Sequence, residues 1–175
     1  MKSRINSKGF TLIEIMVVVA LIAIMTTLAI PSFRGMAQRL RTKSAGREIA
    51  MDLALARAKA ISSGGNQDVS FVAVNNACPN NSGSWMSSGG KMKCLSDNYS
   101  GVSFQYTDAD PFKFKDSAGA DNDTATFKNN GSLDNNLSTL VPPDLGMIYL
   151  GDARGNQIKI AVRQYTGLAK MSDGW

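Results

Sequence analysis

The chain has 175 residues, 43% of them hydrophobic, with 19 Lys plus Arg against 14 Asp plus Glu, two Cys and no His. At roughly 100–200 residues per domain, that is enough for one modest core. Without histidine no Ser–His–Asp or Cys–His nucleophile can form, and the commonest metal ligand and neutral-pH proton shuttle is missing, so the expectation is a non-enzymatic protein with no cofactor and no metal site.

The net charge of +5 is uneven. Lys2, Arg4 and Lys8 open the chain, and residues 34–59 add seven cations against only Glu48 and Asp52. From Gly64 onward nine Lys or Arg face eleven Asp, a net −2. Bulk attraction to a phosphate backbone is therefore no property of the C-terminal part.

Between Ile15 and Phe33 no residue is charged, and "IMVVVALIAIMTTLAI" is apolar on every helical face. That is the length needed to cross a hydrocarbon core of ~30 Å. A removable secretory signal, cut near Ala29, is the rival reading, but such signals have a shorter apolar region. Glu14 stands out at the front of the run. A carboxylate inside a membrane segment costs ~2.5–3.5 kcal/mol and normally marks a pairing function. Alternatively it lies near the headgroups, at a helix start where the dipole favours an anion. Both readings fit the residues.

From Arg34 to Ser62 the composition is that of a helix. Leu40, Ile49, Leu53, Ala56 and Ala60 are read as one apolar stripe. Pro31 is expected to kink the helix without ending it, and "SSGG" at 62–65 to stop it. A helix from Phe10 to Ser62 would be ~80 Å long, too long to bury in the rest of the chain. Half of it must be housed in lipid or among copies of itself.

After Gly65 the texture is β. Strands are expected at 68–74, 102–106, 111–114, 125–127, 147–150 and 157–162, the last two as a hairpin. Residues 75–100, rich in Asn, Ser and Gly, read as a long exposed loop. Trp85 in it is either a contact residue or an aromatic folded against its own disulfide. Cys78 and Cys94 are the only two cysteines. With an export signal they argue for a disulfide formed outside the cytosol, worth about 3 kcal/mol in the chain-entropy model.

The segment "KGFTLIEIMVVVALIAIMTTLAIPSF", Lys8 to Phe33, resembles the N-terminus of a type IV prepilin or type II secretion pseudopilin. The resemblance implies that a prepilin peptidase cuts after Gly9 and methylates the Phe10 amine. Glu14 would then neutralise the Phe10 amine of a neighbouring subunit as helices stack into a filament. More weakly, "TATFKNNGSL" and "MIYLGDARGNQIKIAVRQYTG" after a long helix are similar to the GspH/FimT domain of minor pilins and pseudopilins, FimU-type minor pilins included. What this implies is an α+β, type IV pilin-like fold, with a long kinked N-terminal helix on small antiparallel sheets. Residues 1–9 would be a leader, 10–33 the membrane and filament-core segment, 34–63 the amphipathic second half of the helix, and 64–175 a β-rich surface domain.

The implied partners are the major pilin, other minor pilins, the prepilin peptidase, the inner-membrane assembly platform, and the lipid bilayer before assembly. The five cations from Arg34 to Arg47 compete with the three of the leader under the positive-inside rule. The prepilin-like leader and the cysteine pair nevertheless favour a single-pass inner-membrane protein with its C-terminal domain in the periplasm, later part of a pilus or secretion filament. Those cations then suit acidic side chains of neighbours, lipid headgroups, or simply water. Some FimT-like relatives bind DNA through arginines after the last strand. The matching segment here, Thr166–Lys170, lacks both, and Arg163 with Lys170 leaves a thin footprint. A secretion pseudopilin and a DNA-binding minor pilin stand as the alternatives to a pilus-assembly subunit.

Overall fold

In the computed structural model the described residues are 9–105, 112–115, 121–135 and 145–174, without the side chains of 28–34, 113, 115, 121 and 122. Two compact units result, Met1–Ala37 and Gln38–Trp175. Helix α1, Leu12–Ser63, contributes to both. It starts where Thr11 caps it: the Thr11 hydroxyl accepts the Glu14 backbone N–H at 3.3 Å, and the Thr11 carbonyl accepts that of Ile15. Thr-x-x-Glu is the pattern that satisfies the orphan donors of a first turn. The helix stops where expected, because Gly64 takes φ +69° directly after Ser63.

In the first unit, every large apolar side chain described from Phe10 to Met25 is at least 47% exposed. Among the described residues no helix is long and apolar enough to cross a membrane. The apolar stretch expected over residues 10–33 ends in side chains outside the described set. Pro31 lies within α1 and does not end it; the kink expected there falls on those same side chains.

In the second unit α1 turns Ala45, Ile49, Leu53, Ala56 and Ala60, all fully buried, onto the sheets. Leu40, expected in this stripe, is 53% exposed. Nine residues separate it from Ile49, about two and a half turns, which puts the two on opposite sides of the helix.

The strands are antiparallel throughout. One sheet runs β3 (Met92–Cys94), β2 (Ser84–Met86), β1 (Gln67–Val72), β7 (Thr124–Phe127). The other runs β10 (Ala169–Asp173), β9 (Gln157–Arg163), β8 (Leu145–Asp152), β5 (Phe112–Lys115), β6 (Asp121–Asn122), with β4 (Val102–Phe104) also pairing β8. Alternation turns Val69 and Phe71 of β1, and Ile158, Ile160 and Val162 of β9, into the core. Phe71, Phe104, Phe112 and Phe114 meet there, with ring centroids 4.8–6.2 Å apart.

The hairpin expected over 147–162 is β8–β9, in register from Leu145↔Arg163 to Gly151↔Gln157. Asp152 builds its turn, accepting the Arg154 and Asn156 backbone N–H groups at 2.8 and 3.1 Å and the hydroxyl of Thr42 on α1 at 3.0 Å. Burial pushes this carboxyl up, but these bonds and the Asn156 side-chain amide outweigh it and hold the pKa below the usual range.

Residues 75–100 are not an exposed loop. They hold β2, β3 and a short helix α2 (Leu95–Asn98), and Trp85 is 1% exposed. Cys78 and Cys94 are joined as a disulfide. Strand β10 is a further departure from the expected set.

Candidate functional site

The N-terminal site is built from Gly9, Phe10, Thr11 and Glu14. Gly9 to Thr11 lie ahead of the helix, and none of the described residues stands within 4 Å of where a Cβ on Gly9 would be. Phe10 is 80% exposed. Glu14 is the third residue of the helix, exposed, with no ion pair among the described residues. Its backbone is used in the Thr11 cap, while its carboxylate has no partner among the described residues. The sequence pattern Thr11–Glu14 carried this capping signal beside the membrane-carboxylate signal.

A second constellation fixes the cysteine-bearing segment to the helix. Glu48 and Asp52 sit one turn apart on α1, a repulsive spacing for two carboxylates. Lys93 of β3 lies between them, donating to Glu48 at 2.9 Å and to Asp52 at 2.8 Å. The indole N–H of Trp85 donates to Asp52 at 2.6 Å, and the Tyr99 hydroxyl to Glu48 at 2.6 Å. The Lys93 ammonium also stands 5.8 Å from the Trp85 ring.

Burial raises the Glu48 carboxyl, but the bonds from Tyr99 and Lys93 and the lysine charges more than offset it, so its pKa is lowered. Burial likewise lowers the Lys93 pKa, and both carboxylates more than reverse that. Burial and the bond to Glu48 push Tyr99 up to about 12. The disulfide joins Cys94, next to Lys93, back to Cys78. No short motif announces this clamp, since its members lie 33 to 51 residues apart in the chain.

Of the five cations read as partner-facing or solvated, Arg39 and Lys43 pair with Asp173 of β10 at 3.4 and 2.7 Å. Arg41 donates to Gln38, and Arg47 is exposed with no ion pair among the described residues. The Arg34 side chain lies outside the described set. Arg163 and Lys170 are both exposed. Register places Lys170 opposite Ala161, so it shares a face with Arg163 and with half-buried Lys159. Lys159 joins this face through strand register, which the residues alone do not announce.

These geometries can be set beside known proteins. Residues 4–30 match the prokaryotic N-terminal methylation motif. Gly9, Phe10 and Glu14 all fall within the methylation motif, as does the start of α1 at Leu12. No curated protein matches the chain. Two crystal forms of the type IV minor pilin FimU of Pseudomonas aeruginosa are similar to it. One is 17% identical, covering 74% of this chain and 91% of that one, with a TM-score of 0.38. The other is 18% identical, covering 78% and 92%, with a TM-score of 0.40. The pilin-like resemblance is thus borne out in the methylation motif and in the α+β architecture of a long N-terminal helix with antiparallel sheets.

Proposed function

We propose that this chain is a non-enzymatic minor subunit of a type IV pilus, cut between Gly9 and Phe10, methylated on the Phe10 amine, and incorporated near the filament tip. Residues 1–9 act as the leader and 10–33 as the membrane and filament-core segment. Residues 34–63 complete the helix, and 64–175 form the surface domain that selects neighbouring pilins. The observation that carries this reading is the methylation motif over residues 4–30. Geometry supports it, because Gly9 and Phe10 are exposed and lie in non-helical backbone before the Thr11 cap, where a protease can reach them.

Before assembly the apolar surface from Phe10 to Met25 is held in the inner membrane, with the C-terminal domain in the periplasm. Filament growth replaces lipid contact with helix contact of equal apolarity. Glu14 then pairs with the Phe10 amine of a neighbour, which offsets the cost of burying its charge.

Mass spectrometry of the mature protein should find a chain beginning at N-methylated Phe10. A different first residue would reject the reading. Gly9→Val should leave the precursor uncut, whereas Glu14→Ala should be cut normally and be depleted in sheared filaments. Normal incorporation of Glu14→Ala would remove the charge-pairing role. Co-purification with the major pilin, against secretion-system subunits, separates a pilus from a secretion filament.

A further inference from the structure

Unpaired strand edges invite further strands, and proteins normally blunt them with charge, shortness or cover. Strand β3 carries Lys93 and ends at a disulfide cysteine, and β10 carries Lys170 and Asp173. Strand β7 is covered by Asn135, whose side chain accepts from the Thr126 backbone N–H at 3.1 Å and donates to the Thr124 carbonyl at 2.9 Å, as a pairing strand would. β6 is two residues long. Strand β4, Val-Ser-Phe, is short as well, but it carries no charge and no side chain among the described residues caps its open backbone.

β4 has β8 on one side and no strand on the other among the described residues. The Gln105 N–H donates to the Tyr149 carbonyl at 2.9 Å, which fixes the alternation. Ser103 bonds to Gly151, while Val102 and Phe104, opposite Asp152 and Leu150, turn their backbone groups away from β8. The Val102 N–H closes onto Tyr99 at 3.0 Å. The Val102 carbonyl and both backbone groups of Phe104 find no partner among the described residues, although each residue is only 4% exposed. Buried backbone groups are rarely left so. They border a groove of about 690 Å³ between β4 and the end of β1, walled by Ala73, Val74, Asn81, Ser82, Ser100 and Gln105. Among the described residues no charged side chain lines it.

We propose that this groove receives an extended, uncharged segment of a neighbouring, non-identical subunit, added as a strand to the edge of β4. The proposal rests on the filament reading above. A helix satisfies its own backbone and would leave the Phe104 groups unpaired, whereas a strand supplies a donor and acceptor at each second residue. An ionised side chain would enter a groove with no counter-charge among the described residues and lose its hydration.

Backbone hydrogen exchange on the full chain tests this, in detergent alone and in complex with its partner subunits. The Phe104 amide should exchange readily in the free chain and slow at least about tenfold in the complex. The Gln105 amide, already bonded to Tyr149, should be slow in both. Val74→Lys, a change at an exposed rim position, should keep the melting profile yet abolish the Phe104 protection.

A Phe104 amide already slow in the free chain overturns the proposal, whether its own chain covers it or, with concentration dependence, a second copy does. Incorporation with Phe104 still exchanging fast overturns the strand addition alone. Failure to incorporate at all overturns the filament reading with it.

Discussion

Helix α1 is one element with two fates. From Gln38 onward it has a domain to pack on, and Ala45, Ile49, Leu53, Ala56 and Ala60 are fully buried on one face. From Phe10 to Met25 the side chains are more apolar and all of the large ones are exposed. Intrinsic propensity accounts for neither half, because helical stability in proteins comes mostly from what covers the apolar face. The second half is folded by its own chain. On the function proposed above, lipid or other helices complete the first half, since an all-round apolar helix has no side it can leave in water.

The strongest way to break this contrast is to truncate one large apolar side chain in each region. Trp85→Ala empties a fully buried site whose indole also holds Asp52 on the second half of α1. It should cost about 3–5 kcal/mol, read as a fall in the urea midpoint by circular dichroism. Ile22→Ala, at a side chain 58% exposed, should change the unfolding free energy by no more than about 0.5 kcal/mol while lowering incorporation into filaments. If Ile22→Ala destabilised the domain as Trp85→Ala does, the two halves would not be energetically separate.

A smaller effect sharpens the contrast electrostatically. Lys93→Met leaves Glu48 and Asp52 facing each other across one helical turn without their shared cation. The loss should be about 1–3 kcal/mol, since each partner keeps some contact with water. The pH dependence follows from the signs. Glu48 has a lowered folded-state pKa, so its contribution is present above the unfolded carboxylate value and is lost as pH falls through the folded one. Lys93 and Tyr99 are raised, Tyr99 to about 12, so theirs is present below the unfolded values and fades as pH climbs through the folded ones. Wild type should therefore lose stability at both extremes, and Lys93→Met should flatten the alkaline limb and move the acid limb to higher pH. Unchanged limbs in the variant would show that the clamp contributes nothing.

What the sequence made legible depended on how local the cause was. The stop at Gly64 and the β8–β9 hairpin could be read because a left-handed glycine and an Asp-x-x-x-Asn turn act within a few residues. Strands β2 and β3 could not. They are three residues each in a Ser- and Gly-rich stretch, and what holds Trp85 inward is Asp52, 33 residues earlier. Strand β10, Ala-Lys-Met-Ser-Asp, has little β-propensity of its own and exists through its register with β9 and the pairing of Asp173 with Arg39 and Lys43. At the N-terminus the motif was legible in full, because processing chemistry reads contiguous residues, whereas the clamp around Lys93 needs the fold to assemble it.

The faintest expected signal comes from cations the domain has not used internally. Arg39, Lys43 and Lys93 are tied to carboxylates, and Arg57 to the carbonyls of Gly131 and Thr166. Arg163 and Lys159 of β9 and Lys170 of β10 share one sheet face, on a portion of the chain whose net charge is −2. If each met one phosphate, the logarithm of duplex DNA affinity would fall against that of salt with a slope no steeper than about −2.7, from roughly −0.9 per contact. Binding by the full chain should accordingly be weak at low salt and vanish near physiological salt. Arg163→Gln with Lys170→Gln should flatten the slope by about 2. A steeper slope that survives this double change would mean that Arg41 and Arg47, on the exposed side of the second half of α1, take part. The second half of the helix would then have a binding surface of its own, and its contrast with the first half would have to be redrawn.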